Sequence, residues 1–232
     1  MKVSISAATL VCTIIVAGPS LLRADATFSD GTFTNSNWTV STISSGGGGM
    51  IDFAGQVSSG GNPASYRRVD LTVNSGSSAI FAINLSTISI YNPQTQGAIT
   101  TVDYSEDSIA FTARSQSSGF CLLQNGTIYF ANALSYFPTA TWTTHSVTGQ
   151  HFSDFLDFDG NSSPDFSANG APIEFGFWRE ISAGGGNSFS SSTGIDNWTV
   201  MVHSVPEPAT IGLIAMGAFG LVGTEARKVR RE

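Results

Sequence analysis

The chain has 232 residues, with 10 Lys or Arg against 17 Asp or Glu for a net charge of −7; it is 41% hydrophobic and only 12% charged, about half the usual charged fraction. Six of the ten basic residues (Lys2, Arg23, Arg227, Lys228, Arg230, Arg231) lie in the terminal segments, so residues 27–208 hold four basic and 14 acidic side chains, a net of −10, and no lysine. Such a body repels phosphate backbones and anionic lipid, which excludes a nucleic-acid binder, and the length suits one domain with processed ends.

The chain begins with Lys2, an apolar run over residues 3–17, Pro19 and then Ala24, Asp25 and Ala26. That order of charge, apolar run and Ala-x-Ala site predicts a secretory signal peptide over residues 1–26, a helix outside the core, cut by signal peptidase after Ala26. The run is shorter than the roughly 20 residues that span a bilayer, which disfavours an uncleaved anchor. Cleavage removes Cys12 and leaves Cys121 as the one cysteine, so no intramolecular disulfide forms. Beside Leu122 and Leu123, Cys121 reads as a buried apolar residue.

From residue 27 to 204 no stretch repeats apolar residues at a period near 3.6, and apolar residues alternate instead, as in strands with one buried face. Val69, Leu71 and Val73 form one such set, Phe81, Ile83 and Leu85 a second, and Trp198, Val200 and Val202 a third. Further strands are predicted near residues 51–57, 109–113, 141–147 and 173–178. Asn125 and Gly126, between two apolar runs, supply the two positive φ angles of a type I′ hairpin turn. Asn37, Trp38, Thr39 and Val40 echo Asn197, Trp198, Thr199 and Val200, which predicts two similar strands near the ends of the body. Together these elements predict an all-β fold, a single antiparallel β-sandwich over residues 27–204.

The densest acidic cluster is Asp154, Asp157, Asp159 and Asp165. Asp157, Asp159, Asn161 and Asp165 stand at relative positions 1, 3, 5 and 9, the oxygen spacing of calcium loops, although Ser162 and Ala168 replace the Gly and Glu an EF-hand needs. A solvated loop held by Asx turns is the competing reading. A second candidate calcium site pairs Asp30, near the first strand, with Asp196, before the last. Glu174 and Glu180 are the carboxylates with the spacing to share one strand face, as a glycosidase pair would. His145, His151 and His203 lack the spacing of a zinc site, and no nucleophile elbow, P-loop or dinucleotide fingerprint occurs, so the chain reads as non-catalytic. Trp142 and Trp178 are candidate sugar-stacking platforms, whereas Trp38 and Trp198 lie in alternating strands and read as core. Asn-x-Ser/Thr triplets begin at Asn37, Asn84, Asn125, Asn161 and Asn197, in keeping with an Asn/Ser/Thr-rich body.

The segments Pro164-Asp165-Phe166-Ser167, Pro172-Ile173-Glu174-Phe175-Gly176-Phe177 and Ile195-Asp196-Asn197-Trp198-Thr199-Val200 resemble the jelly-roll domains of concanavalin A-like and carbohydrate-binding type. The resemblance covers about 60 residues, from Trp142 to Val200, and implies a jelly roll but no particular ligand.

The chain ends with Val205, then Pro206, Glu207 and Pro208, an apolar stretch over residues 209–223, and a basic stop of Arg227, Lys228, Arg230 and Arg231. Physically this is a helix-breaking spacer, a hydrophobic helix outside the core and a cluster that stays cytoplasmic. Over residues 205–232 the order of these features resembles the PEP-CTERM sorting signal of Gram-negative bacteria, with Thr224, Glu225 and Ala226 delaying the first arginine. The resemblance implies export, an inner-membrane intermediate, processing by exosortase, and a cell-surface or matrix destination tied to exopolysaccharide. The leading expectation is therefore a sorted, non-enzymatic surface protein, with a carbohydrate-binding module and a secreted glycoside hydrolase as alternatives.

Overall fold

β-Branched and aromatic residues at every second position present one apolar face per strand, and that face is stable only against another. The protein, described by a computed structural model over residues 24–205 apart from Ser115, solves this with two antiparallel sheets. Its strands are β1 (Ala24–Asp30), β2 (Trp38–Ser45), β3 (Gly49–Gly61), β4 (Ala64–Val73), β5 (Ala79–Tyr91), β6 (Ile99–Ala110), β7 (Ser117–Gln124), β8 (Thr127–Tyr136), β9 (Thr143–Gln150), β10 (Phe155–Asp157), β11 (Ile173–Ser182) and β12 (Phe189–Ser204). The first sheet runs β3-β4-β12-β6-β9, with β1 alongside the C-terminal half of β12, and the second runs β10-β8-β7-β11-β5-β2. Only β3–β4 and β7–β8 join neighbours within a sheet; nearly every other connection crosses to the opposite sheet. That winding makes the sandwich a jelly roll.

Between the sheets lie Val69, Leu71 and Val73 of β4, Val102 and Tyr104 of β6, and Ile195, Trp198, Val200 and Val202 of β12, facing Ile80 and Ala82 of β5, Phe120 and Leu122 of β7, and Ile173, Phe175 and Phe177 of β11. The two echoing Asn-Trp segments meet across this layer: Trp38 of edge strand β2 touches Trp198 of inner strand β12 edge-on, ring centroids 5.2 Å apart. The β7–β8 hairpin turns at Asn125 and Gly126, with φ of 51° and 79°, as the Asn-Gly pair predicts.

Two arginines also point inward. Fully buried Arg179 of β11 places Nη2 2.8 Å from Oε1 of fully buried Glu106 on β6, and the hydroxyls of Tyr104 and Tyr136 donate to the same carboxylate. Arg67 of β4 donates from Nε to Oδ1 of buried Asn84 at 2.9 Å.

Two expectations change. Phe81, Ile83 and Leu85, predicted to face the core, lie on the outer face of the second sheet, because Ile80 and Ala82, one position out of step, fill the inner face. The strand predicted at residues 109–113 ends at Ala110, and the chain bends from there. Most of the predicted signal segment and nearly all of the 205–232 tail lie outside the described residues. β1 nevertheless starts at Ala24, three residues before the predicted start of the body, and Ala24 pairs with Ser204. Among the described residues no helix is long and apolar enough to cross a membrane.

Candidate ligand-binding site

The outer face of the second sheet carries what an outer face seldom does, a hydrophobic cluster of its own. Ile83 and Leu85 of β5, Cys121 of β7 and Trp178 of β11 are buried there, packed by Ile43, Phe81, Leu123, Ile128 and Phe130. The registers explain the grouping: Trp178 lies between Ile83 of β5 and Gly119 of β7, and Cys121 lies between Gly176 and Phe130. Gly119 has no side chain to hold the indole off the sheet. Gly176 sits where β11 bulges against β5, and a Cβ there would lie 2.0 Å from the Asn84 carbonyl oxygen.

Over this cluster folds the turn that follows β10. In the Leu156-Asp157-Phe158-Asp159 stretch Leu156 pairs with Phe130, and Phe158 packs edge-on against Phe81 and Phe130, at 5.5 and 6.1 Å between centroids. Asp157 fixes the turn: Oδ1 accepts from the Asn161 N–H at 2.7 Å and Oδ2 from the Ser162 hydroxyl. The Ser162 hydroxyl first, and then the Asn161 N–H, hold the Asp157 carboxyl below its usual range. The result is a groove of about 450 Å3 lined by Phe81, Phe130, Asn132, Ser135, Leu156, Phe158, Trp178 and the acidic pair Asp157 and Asp159. Phe158 is 51% exposed and offers a ring to solvent, whereas Trp178 is 7% exposed and its indole N–H has no acceptor.

The predicted platforms therefore part company. Trp178 forms the floor of this groove, covered by Phe81 and Phe130. Trp142 lies over the first sheet instead, edge-on to Tyr66 at 5.6 Å and donating to the Gly60 carbonyl at 3.2 Å. Phe130 and Phe158 are not candidate platforms in the sequence, and Phe81 reads there as core. The alternation Leu156, Phe158 beside Phe155 was the available signal, since it sets two apolar side chains opposite the inward Phe155.

The predicted calcium ligands Asp157, Asp159, Asn161 and Asp165 do not converge. Asp157 turns into its own loop, while Asp165 accepts from the Ser167 N–H at 2.8 Å and is tied by its own N–H to Gln124. Asp30 accepts from the N–H groups of Thr32 and Phe33 and from the Trp38 indole. Asp196, at a bulge in β12, accepts from the Asn62 and Asn197 N–H groups, and neighbouring Asp107 from the side-chain amides of Asn62 and Asn197. Among the described residues no group of three or more His, Cys, Asp or Glu is arranged to hold a metal ion. Melting curves in calcium and in chelator test both sets. Of the histidines, His145 stacks on Tyr136 at 3.6 Å, His151 meets the Thr100 carbonyl oxygen and His203 bridges Asp25 and Asp103. Cys121 is fully buried and burial pushes its thiol well up, which removes its nucleophilic form.

Glu174 and Glu180 share the outer face of β11, as their even spacing predicts, and burial raises both carboxyls. Six residues along a strand separate them by roughly 20 Å. A glycosidase pair stands about 5 to 9.5 Å apart, so these two do not form one.

Several solved carbohydrate-binding structures are similar in fold. A family 11 carbohydrate-binding module from Clostridium thermocellum, in complex with a β-1,3-1,4-mixed-linked tetrasaccharide, is 15% identical, with 79% of this chain and 97% of that chain covered and a TM-score of 0.47. The CBM22-1 xylan-binding domain of Paenibacillus barcinonensis Xyn10C is 8% identical over 78% and 94% of the two chains, with a TM-score of 0.40. A mannan-recognising module, TmCBM27, is 10% identical over 78% and 98%, also at 0.40. No curated protein matches the chain. One family does: residues 204–228 match the PEP-CTERM protein-sorting motif, which contains the predicted Pro206, Glu207 and Pro208 together with Arg227 and Lys228 of the basic stop. The chain thus carries a PEP-CTERM protein-sorting motif that begins at the last residue of a jelly-roll β-sandwich.

Proposed function

We propose that the protein is a non-catalytic surface or matrix component of a Gram-negative bacterium, held in the inner membrane by its tail until exosortase processes it, and that it holds exopolysaccharide in the groove beneath Phe158. The observation that carries this reading is the groove itself. It sets an exposed ring and two half-buried rings beside the hydroxyl, amide and carboxylate groups of Ser135, Asn132 and Asp159, the mixture of apolar faces and few placed polar groups that a sugar ring requires. The separation of Glu174 from Glu180 supports binding over hydrolysis. Trp142, engaged by Tyr66 and Gly60 on the other sheet, has no part in it.

Co-sedimentation with the native host's exopolysaccharide tests the reading. Saturable binding is expected, weakened about tenfold or more by Phe158→Ala, the loss of roughly 1.4 kcal/mol of ring contact, and unchanged by Trp142→Ala. Absence of binding by the unaltered protein would sink the proposal, and loss with Trp142→Ala alone would move the site to the first sheet.

A further inference from the structure

The ligand class can be narrowed by asking where the positive charge of the sandwich is. Its described part holds four arginines and no lysine, and each arginine is placed away from the groove. Arg67 and Arg179 point between the sheets, to Asn84 and Glu106. Arg68 pairs with Asp70 on the first sheet at 2.8 Å. Arg114 lies over the Phe189 ring of β12, 4.5 Å from its centroid. The three histidines are held by Tyr136, by Thr100 and by the Asp25–Asp103 pair.

The groove is lined by two carboxylates and no base. Glu180, cross-strand neighbour of Phe81 on the same outer face, adds a third acid nearby. A uronate or sulfated chain entering here meets only like charge. A protonated amine meets carboxylates together with phenyl rings, the pairing of groups that recognises ammonium. Trp178 adds an independent sign: 7% exposed, it lines the groove, and the protein leaves its buried indole N–H without an acceptor.

Resting on the reading of the groove as a glycan site, we infer that its ligand is a glycan bearing free amino groups, a chain containing de-N-acetylated amino sugar, with the ammonium set between Asp159 and the rings of Phe158 and Phe81.

The test is calorimetric titration of the full chain, purified in a non-ionic detergent, with four probes of equal length: glucosamine oligosaccharide, its fully N-acetylated counterpart, cello-oligosaccharide and oligogalacturonate. The expected result is at least about tenfold tighter binding of the glucosamine oligomer than of the N-acetylated one, with no binding of oligogalacturonate. Asp159→Asn should reduce that preference to within about twofold, and Phe158→Ala should weaken the glucosamine oligomer by a similar factor. Equal affinity for the glucosamine and neutral oligomers would overturn the inference and leave the glycan reading intact. Failure of all four probes would overturn both. Binding of the glucosamine oligomer that ignores both substitutions would also overturn the inference, because it would be general attraction to an acidic protein.

Discussion

Glu106 and Arg179 illustrate how much a single pair can decide in a sandwich this poor in charge. Desolvation raises the Glu106 carboxyl, and the Arg179 guanidinium opposes that rise. Glu106→Gln leaves a guanidinium between the sheets without its counter-ion and is expected to cost about 3 kcal/mol or more in urea unfolding. Arg179→Met added to it should recover part of that loss, since the second change removes the stranded charge; a double variant less stable than the single one would show the ion pair to be secondary. Gly176→Ala is expected to be as damaging for a different reason. Its Cβ would meet the Asn84 carbonyl oxygen at 2.0 Å, so β5 and β11 must separate where they carry Trp178, and the variant should melt lower and lose the groove together.

At the scale of elements, β1 pairs with β12 alone and is anchored by His203. The imidazole meets Asp103 at 2.9 Å and Asp25 at 2.9 Å, and the hydrogen bond donated to Asp103, followed by that donated to Asp25, raises its pKa. A raised histidine stabilises the fold fully below its ordinary value, about 6.5, and loses that contribution as pH climbs through the higher folded value. In the uncleaved chain, which keeps Asp25, amide exchange in β1, corrected for intrinsic rate, should therefore speed up as pH rises from about 6 to about 8. His203→Gln should abolish that dependence, and a pH profile unchanged by it would remove the anchor.

The hairpin at Asn125-Gly126 was legible because a two-residue Asn-Gly turn has one dominant solution. The outward turning of Phe81, Ile83 and Leu85 was not, because β5 is apolar on both faces and alternation alone cannot say which face is inner. Phe158 was hidden for a related reason. Its role depends on a loop folding back over a sheet face, and the acidic residues around it pointed to calcium chemistry, whereas the Asp157 and Asp165 side chains turn into their own loops.

For the molecule as a whole, the legible parts were those written in local order: the alternation that makes two sheets and the sorting motif at the end. The illegible part was the distribution of charge across the fold, since only the registers show that both inward arginines leave the groove face wholly acidic.

One feature of the register bears on how the molecule carries load. Ala24 lies opposite Ser204, so a pull applied between the two ends would open β1 from β12 bond by bond, like a zipper. A pull between the groove and the C-terminal end instead enters β12 along its length, where β4 and β1 grip one edge and β6 the other, and many hydrogen bonds must shear at once. Single-molecule extension should yield at markedly lower force for attachment at residues 24 and 205 than for attachment at 158 and 205. In the uncleaved chain the sandwich is thus soft toward a strain entering at residue 24 and stiff toward one that runs from the groove to residue 205.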